Sequence, residues 1–120
     1  MTRQSFQAHI EENSRAGEKP VVVVGSINID LVALTRRIPA VGETVTGTDF
    51  QIHPGGKGAN QAVAVARLGY PARLIGRLGS DPFAAQLRTQ LQSAGVDIAG
   101  VATSEGSSGV AVIIVSCLAR

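Results

Sequence analysis

A chain of 120 residues that is 44% apolar, 17% charged and 3% aromatic is long enough for one core and too apolar for a disordered segment. The formal net charge is only +2, and the arginines are scattered without interleaved aromatics, so no nucleic-acid partner is expected. No apolar run approaches a membrane span, residues 1–20 carry no secretory stretch, and the single cysteine, Cys117, has no partner for an internal disulfide, which together point to the cytoplasm.

Residues 1–20 are polar and of mixed charge and read as a flexible tail, although Phe6 and Ile10 have the i, i+4 spacing of a short helix. The domain is expected over residues 21–120. Val21–Val24 is a β-branched run closed by Gly25, the pattern of a strand buried on both faces of a parallel sheet. Ile27 to Leu34 carries further strand-forming residues, until Arg36-Arg37-Ile38-Pro39 breaks the pattern as a solvated turn. Gly42 to Ile52 is rich in Thr and Val and reads as an extended arm turning near Gly47. His53 precedes Pro54 and is expected to be extended for that reason.

A helix is predicted from Lys57 to Leu68, stopped by Gly69 and Pro71, with Ala59, Ala62, Val63 and Ala66 on one stripe. Ala72–Gly76 reads as a second core strand. Asp81-Pro82 supplies an N-cap and a first-turn proline for a second helix, with Phe83, Leu87, Leu91 and Ala94 buried and Gly95 as the stop. Val96–Val101 and Val110–Val115 follow as strands around the polar stretch Thr103–Gly109. Strands alternating with helices predict an α/β domain with a largely parallel sheet. The arm at 44–52 and the strand at 110–115 have no crossover helix and fit a separate antiparallel flap.

Pro54-Gly-Gly-Lys-Gly-Ala-Asn-Gln-Ala62 is the most informative stretch. Glycines allow close backbone approach, and a helix start leaves N–H groups pointing outward. The segment therefore offers backbone donors, the Lys57 ammonium and the Asn60 amide to a small polar ligand. It is not a Walker phosphate loop, because Gly58 follows Lys57 where that motif has Ser or Thr. It is not a dinucleotide Gly-x-Gly-x-x-Gly either, because position 61 is Gln. A tight strand-to-helix turn with an exposed lysine accounts for the same residues. Gly25-Ser-Ile-Asn-Ile-Asp30 follows the first strand, where α/β sheets bind ligands. Asn28 and Asp30 point to one side of an extended chain and suit adjacent sugar hydroxyls; an Asx turn closing the strand is the plainer reading. The excess of Lys57, Arg67, Arg73, Arg77 and Arg88 over Asp81 reads as a solvated face rather than a phosphate track. His53 has no second ligand at metal spacing and reads as a surface histidine; His9 lies in the tail.

Taken together, Gly25–Asp30, Pro39-Ala-Val-Gly-Glu-Thr-Val45, Gly55-Gly-Lys-Gly-Ala-Asn-Gln-Ala62 and Gly109-Val-Ala111 resemble the N-terminal part of ribokinases, in the PfkB-type carbohydrate kinase family. The similarity runs from about Val21 to Val115. It implies a ribokinase-like (Rossmann-like) α/β fold, a mostly parallel sheet with flanking helices and a small β-lid. It implies that Asn28 and Asp30 hold ribose hydroxyls, with Gly55, Gly56, Lys57 and Asn60 lining the same pocket. The lid strands would be 31–35, 44–52 and 110–115, covering the sugar and in many ribokinases pairing with a second subunit's lid. The implied reaction is ATP plus D-ribose to ribose 5-phosphate and ADP, with Mg²⁺ and a monovalent cation.

Two departures matter, and a third, at Ser108, is smaller. The family's nucleotide site, cation site and Gly-Ala-Gly-Asp motif, whose aspartate is the general base, lie beyond the part that this chain resembles. No catalytic residue is therefore expected here, and the isolated chain is expected to be inactive. Ser116-Cys-Leu-Ala-Arg120 also leaves the family pattern, which reads as a truncated or frameshifted reading frame, and Ser108 stands where ribokinases usually carry Thr. A non-catalytic module that binds sugar or pairs through its lid, and a non-functional remnant, remain alternatives.

Overall fold

A computed structural model of the chain describes residues 18–117. The expected tail, with Phe6, His9 and Ile10, lies outside these residues except at positions 18–20, as do the last three positions of the departing end. The elements run β1 (Val21–Val24), β2 (Asn28–Thr35), β3 (Asp49–Gly55), α1 (Lys57–Arg67), β4 (Ala72–Leu78), α2 (Pro82–Ser93), β5 (Val96–Thr103) and β6 (Gly109–Ser116).

They form two sheets. One is parallel, in the order β1-β4-β5, with α1 packed on β1 and β4 and α2 on β5. Ala62 and Ala66 from α1 meet Leu74, Leu78, Leu87, Leu91, Val96 and Val101 in one core. The small α1 residues bring that helix close to the sheet, as the stripe predicts. Asp81 caps α2 by accepting from Ala84 N–H at 3.0 Å, Pro82 opens it, and Gly95 ends it at φ 89°. The α2 core face differs in detail: Ala84 is buried with Leu87 and Leu91, while Phe83 is only partly so.

The first strand departs from expectation. Val21, Val22 and Val24 are 41%, 48% and 77% exposed, so β1 is not buried on both faces. It pairs only with β4 and is an edge strand among the described residues. A β-branched run reports strand propensity, and the cover over its faces is a separate matter.

The second sheet has the order β3-β2-β6. It is separate, as expected, but mixed: β3 runs antiparallel to β2, whereas β6 runs parallel to it. The reason is the route of the chain, which completes α1, β4, α2 and β5 before returning to the lid. The strand expected at 44–52 also shifts, to Asp49–Gly55. Pairing begins at Leu34↔Asp49, and β2 ends at Thr35, so residues 44–47 have no strand to join. The turn lies at Ala40–Glu43 rather than near Gly47: Glu43 N–H donates to the Ala40 carbonyl at 3.0 Å, and Glu43 also pairs with Arg37. That contact is the main reason the Glu43 carboxyl is held below its ordinary pKa. Among the described residues, no helix is long and apolar enough to cross a membrane.

Candidate functional site

The site grows from the carboxyl end of β1. Gly25 N–H donates to the Ile75 carbonyl at 3.1 Å, which ties the β1–β2 connection to the parallel sheet. The Ser26 carbonyl then accepts Ala59 N–H at 3.0 Å, locking the first turn of α1 against that connection. Space there is minimal: a Cβ on Gly56 would lie 2.5 Å from the Ser26 oxygen. Gly56 is also the N-cap of α1, at φ 98°, a conformation that glycine alone adopts at little cost. The first intrahelical bond is Asn60 N–H to the Gly56 carbonyl, so the Lys57 and Gly58 amides precede it and face outward.

Strand pairing brings the polar residues to this helix start. The β2–β3 register sets Asn28 opposite Gly55 and Asp30 opposite His53. The Asn28 amide donates to Asp30 Oδ1 at 2.7 Å. The carboxylate leans over Gly55, where an added Cβ would come within 2.5 Å of Asp30 Oδ1. Asn28, Asp30, Gly55 and Gly56 thus form one contiguous patch. Lys57 and Asn60 follow on the first turn of α1, both exposed and without a side-chain hydrogen bond or ion pair among the described residues. The Asx turn is not what closes the strand, since both Asn28 and Asp30 are paired within β2.

Register adds residues that spacing alone does not reveal. Asp30 is flanked by His53 on β3 and by Ala111 on β6; Val32 is flanked by Gln51 and Ile113. These six side chains share one face of the lid. Ile29 and Leu31 point the other way, toward the core. Polar–apolar alternation marks β3, but only the partner register places His53 and Ala111 beside Asp30.

The start of β6 is fixed by Asp81. It accepts from Ser108 N–H and from Ser108 Oγ, each at 2.8 Å, while Gly79 N–H donates to Ser108 Oγ at 3.1 Å. The Ser108 amide, then its hydroxyl, holds the Asp81 carboxyl below its ordinary pKa. This knot delivers Gly109 to its place opposite Asn28. Three arginines of the basic excess make similar contacts: Arg73 pairs with Asp97, Arg77 donates to Ser104, and Arg88 donates to the Val101 carbonyl and to Thr103. A cavity of about 720 Å³ lies between α1 and α2 and touches Gly55 and Asn60, but not Asn28, Asp30 or Lys57. Its walls come mainly from the two helices, with Ile27, Pro54 and Gly55 closing one end, so it adjoins the polar patch at Gly55 and Asn60. Among the described residues, no group of three or more His, Cys, Asp or Glu is placed to hold a metal ion.

The family profile described as pfkB family carbohydrate kinase matches residues 18–117. The chain belongs to the pfkB family of carbohydrate kinases. Within this family it is similar to the ribokinase of Lactococcus lactis, at 46% identity over 94 residues, covering 78% of this chain and 31% of that one. Among solved structures it resembles Arabidopsis thaliana ribokinase complexed with ribose and ATP, with a TM-score of 0.77, 36% identity, and coverage of 84% and 33%. It also resembles Cryptococcus neoformans ribokinase in complex with ADP, with a TM-score of 0.76, 35% identity, and coverage of 86% and 32%. The pfkB chain described here therefore has the ribokinase-like α/β fold and spans about a third of the length of these relatives.

Proposed function

We propose that this chain is the sugar-holding part of a cytoplasmic, ribokinase-like kinase that transfers phosphate from ATP to D-ribose, giving ribose 5-phosphate and ADP. The observation that carries the reading is the Asp30 carboxylate, hydrogen-bonded by Asn28 and seated over Gly55 beside the start of α1. An ionised carboxylate only accepts, so it can take hydrogen bonds from two adjacent hydroxyls. The carboxamide of Asn28 donates to Asp30 and keeps its own oxygen for another hydroxyl. Lys57 and the outward amides of α1 donate to sugar oxygens. Ala111 and Ile113 give the same face an apolar flank for the C–H side of a sugar ring. In this reading Asn28, Asp30, Gly55, Gly56, Lys57 and Asn60 bind substrate.

The nucleotide is a different matter. The relatives that hold ATP or ADP are about three times as long as this chain. The glycine loop lacks the hydroxyl and the spacing of a phosphate loop, and the described residues offer no metal cluster. The residues present do not fit ATP, Mg²⁺ or a monovalent cation, and no phosphoryl-transfer step is assigned to them. The reaction's general base is likewise expected outside this chain.

Calorimetric titration with D-ribose tests the reading. Binding is expected, and Asp30→Ala should weaken it by at least about 10- to 150-fold, the loss of either one of its two charge-assisted hydrogen bonds. A coupled assay should show no ribose-dependent ADP release from the 120 residues alone. A folded chain that ignores ribose, or one that turns over ATP with it, contradicts the proposal.

A second reading concerns the lid. Val112 is 73% exposed and Phe50 58%, both on the face away from Asp30, with Ile52 and Ile114 beside them. An apolar surface of this kind suits pairing with a second copy. Sugar binding and lid pairing use opposite faces and are compatible.

A further inference from the structure

We propose that His53 is a further sugar-binding residue, whose Nδ1 accepts a hydrogen bond from a hydroxyl of the sugar held by Asn28 and Asp30. The inference rests on the sugar-site reading above. His53 is directly opposite Asp30 in the antiparallel β2–β3 pair, so their side chains rise from the same face as immediate neighbours. It stands outside the glycine motif, and neither metal spacing nor catalytic pattern singles it out.

A polar relay along β3 fixes its tautomer. Gln51 Nε2 donates to Asp49 Oδ2 at 3.0 Å. A carboxylate cannot donate, so the Gln51 amide nitrogen must face Asp49 and its carbonyl oxygen must face His53. That oxygen lies 2.8 Å from His53 Nε2. An amide oxygen only accepts, so Nε2 carries the hydrogen. In the neutral imidazole, Nδ1 is then the bare acceptor. Asp49, Gln51 and His53 are all on the Asp30 face of the lid, at alternate positions of one strand.

The two flanks of Asp30 differ in a way that matches a sugar. On the β3 side stand His53 and Gln51; on the β6 side stand Ala111 and Ile113. A pentose presents a hydroxyl edge and a C–H face, and this strand face has a polar edge and an apolar edge around one carboxylate. With Nε2 engaged by Gln51, Nδ1 is the ring nitrogen left to meet a hydroxyl. His53 therefore completes the polar side, opposite the apolar wall.

Two measurements on the whole chain test this. Imidazole ¹⁵N spectra without sugar should show His53 as the Nε2–H tautomer; the Nδ1–H tautomer overturns the proposal whether or not ribose binds. Ribose titration should then show affinity falling about three- to tenfold in His53→Ala, the loss of one neutral hydrogen bond. His53→Asn, whose Oδ1 stands in for Nδ1, should recover most of that loss. If the wild type binds ribose and His53→Ala binds it equally well, His53 is only a surface residue and the sugar site stands without it. If the folded wild type binds no ribose, the sugar-site reading itself fails, and His53 with it.

Discussion

Gly55 and Gly56 are neighbours that should fail in different ways. At Gly56 a Cβ would strike the Ser26 carbonyl, a backbone atom, and the residue sits at φ 98°. Neither strain relaxes without moving the start of α1. Gly56→Ala should therefore lower stability by about 1–3 kcal/mol, read from the urea midpoint. At Gly55 the obstacle is the Asp30 carboxylate, a side chain rather than backbone. Gly55→Ala should leave the melt close to wild type and cost ribose affinity instead, because it displaces the group proposed to bind the sugar. Equal stability loss in both variants would contradict this division. The glycine run was legible as a backbone-approach site from sequence. What each glycine approaches was not, since Ser26 and Asp30 reach it through pairing with a distant segment.

At the scale of elements, the helices were the most legible parts. Their signals are local: Asp81-Pro82 and Gly95 bracket α2, and the alanine stripe of α1 lies on the sheet. The lid was legible only as strands without crossovers. Its mixed pairing depends on the direction from which β6 returns, which no local pattern encodes. That return is held by Asp81, and the tie predicts a pH response. The Asp81 carboxyl is held below its ordinary pKa by Ser108, and that of Asp97 by the Ala99 amide and then Arg73. A depressed folded pKa favours the ionised, folded form above the unfolded value; the gain disappears as pH falls through the folded one. Thermal stability should thus hold from neutral pH down to roughly pH 5 and fall below roughly pH 4, where ordinary carboxylates protonate. Asp81→Asn keeps a capping side chain but removes this charge, so its curve should slope less over the acid range. An identical slope would remove Asp81 from the account.

For the whole molecule, what stands out is uncovered apolar surface. Val24 on β1 is 77% exposed and Val112 on β6 is 73% exposed. The valine run announces a strand, but its cover depends on what packs against it. If the lid pairs with a second copy, sedimentation should show mass rising with concentration. Val112→Lys should shift the chain toward monomer while leaving ribose affinity unchanged, because Val112 faces away from Asp30. Unchanged sedimentation in Val112→Lys would remove the lid from the association.

The most direct test of the sugar-holding role is a ¹H–¹⁵N correlation spectrum recorded while D-ribose is added. The amides of Asp30, Gly55, Gly56, Lys57 and Asn60 should move together and saturate on one binding curve. Shifts confined to the cavity between the helices, around Gln90 and Ala94, or an unmoved spectrum from a folded chain, would contradict it.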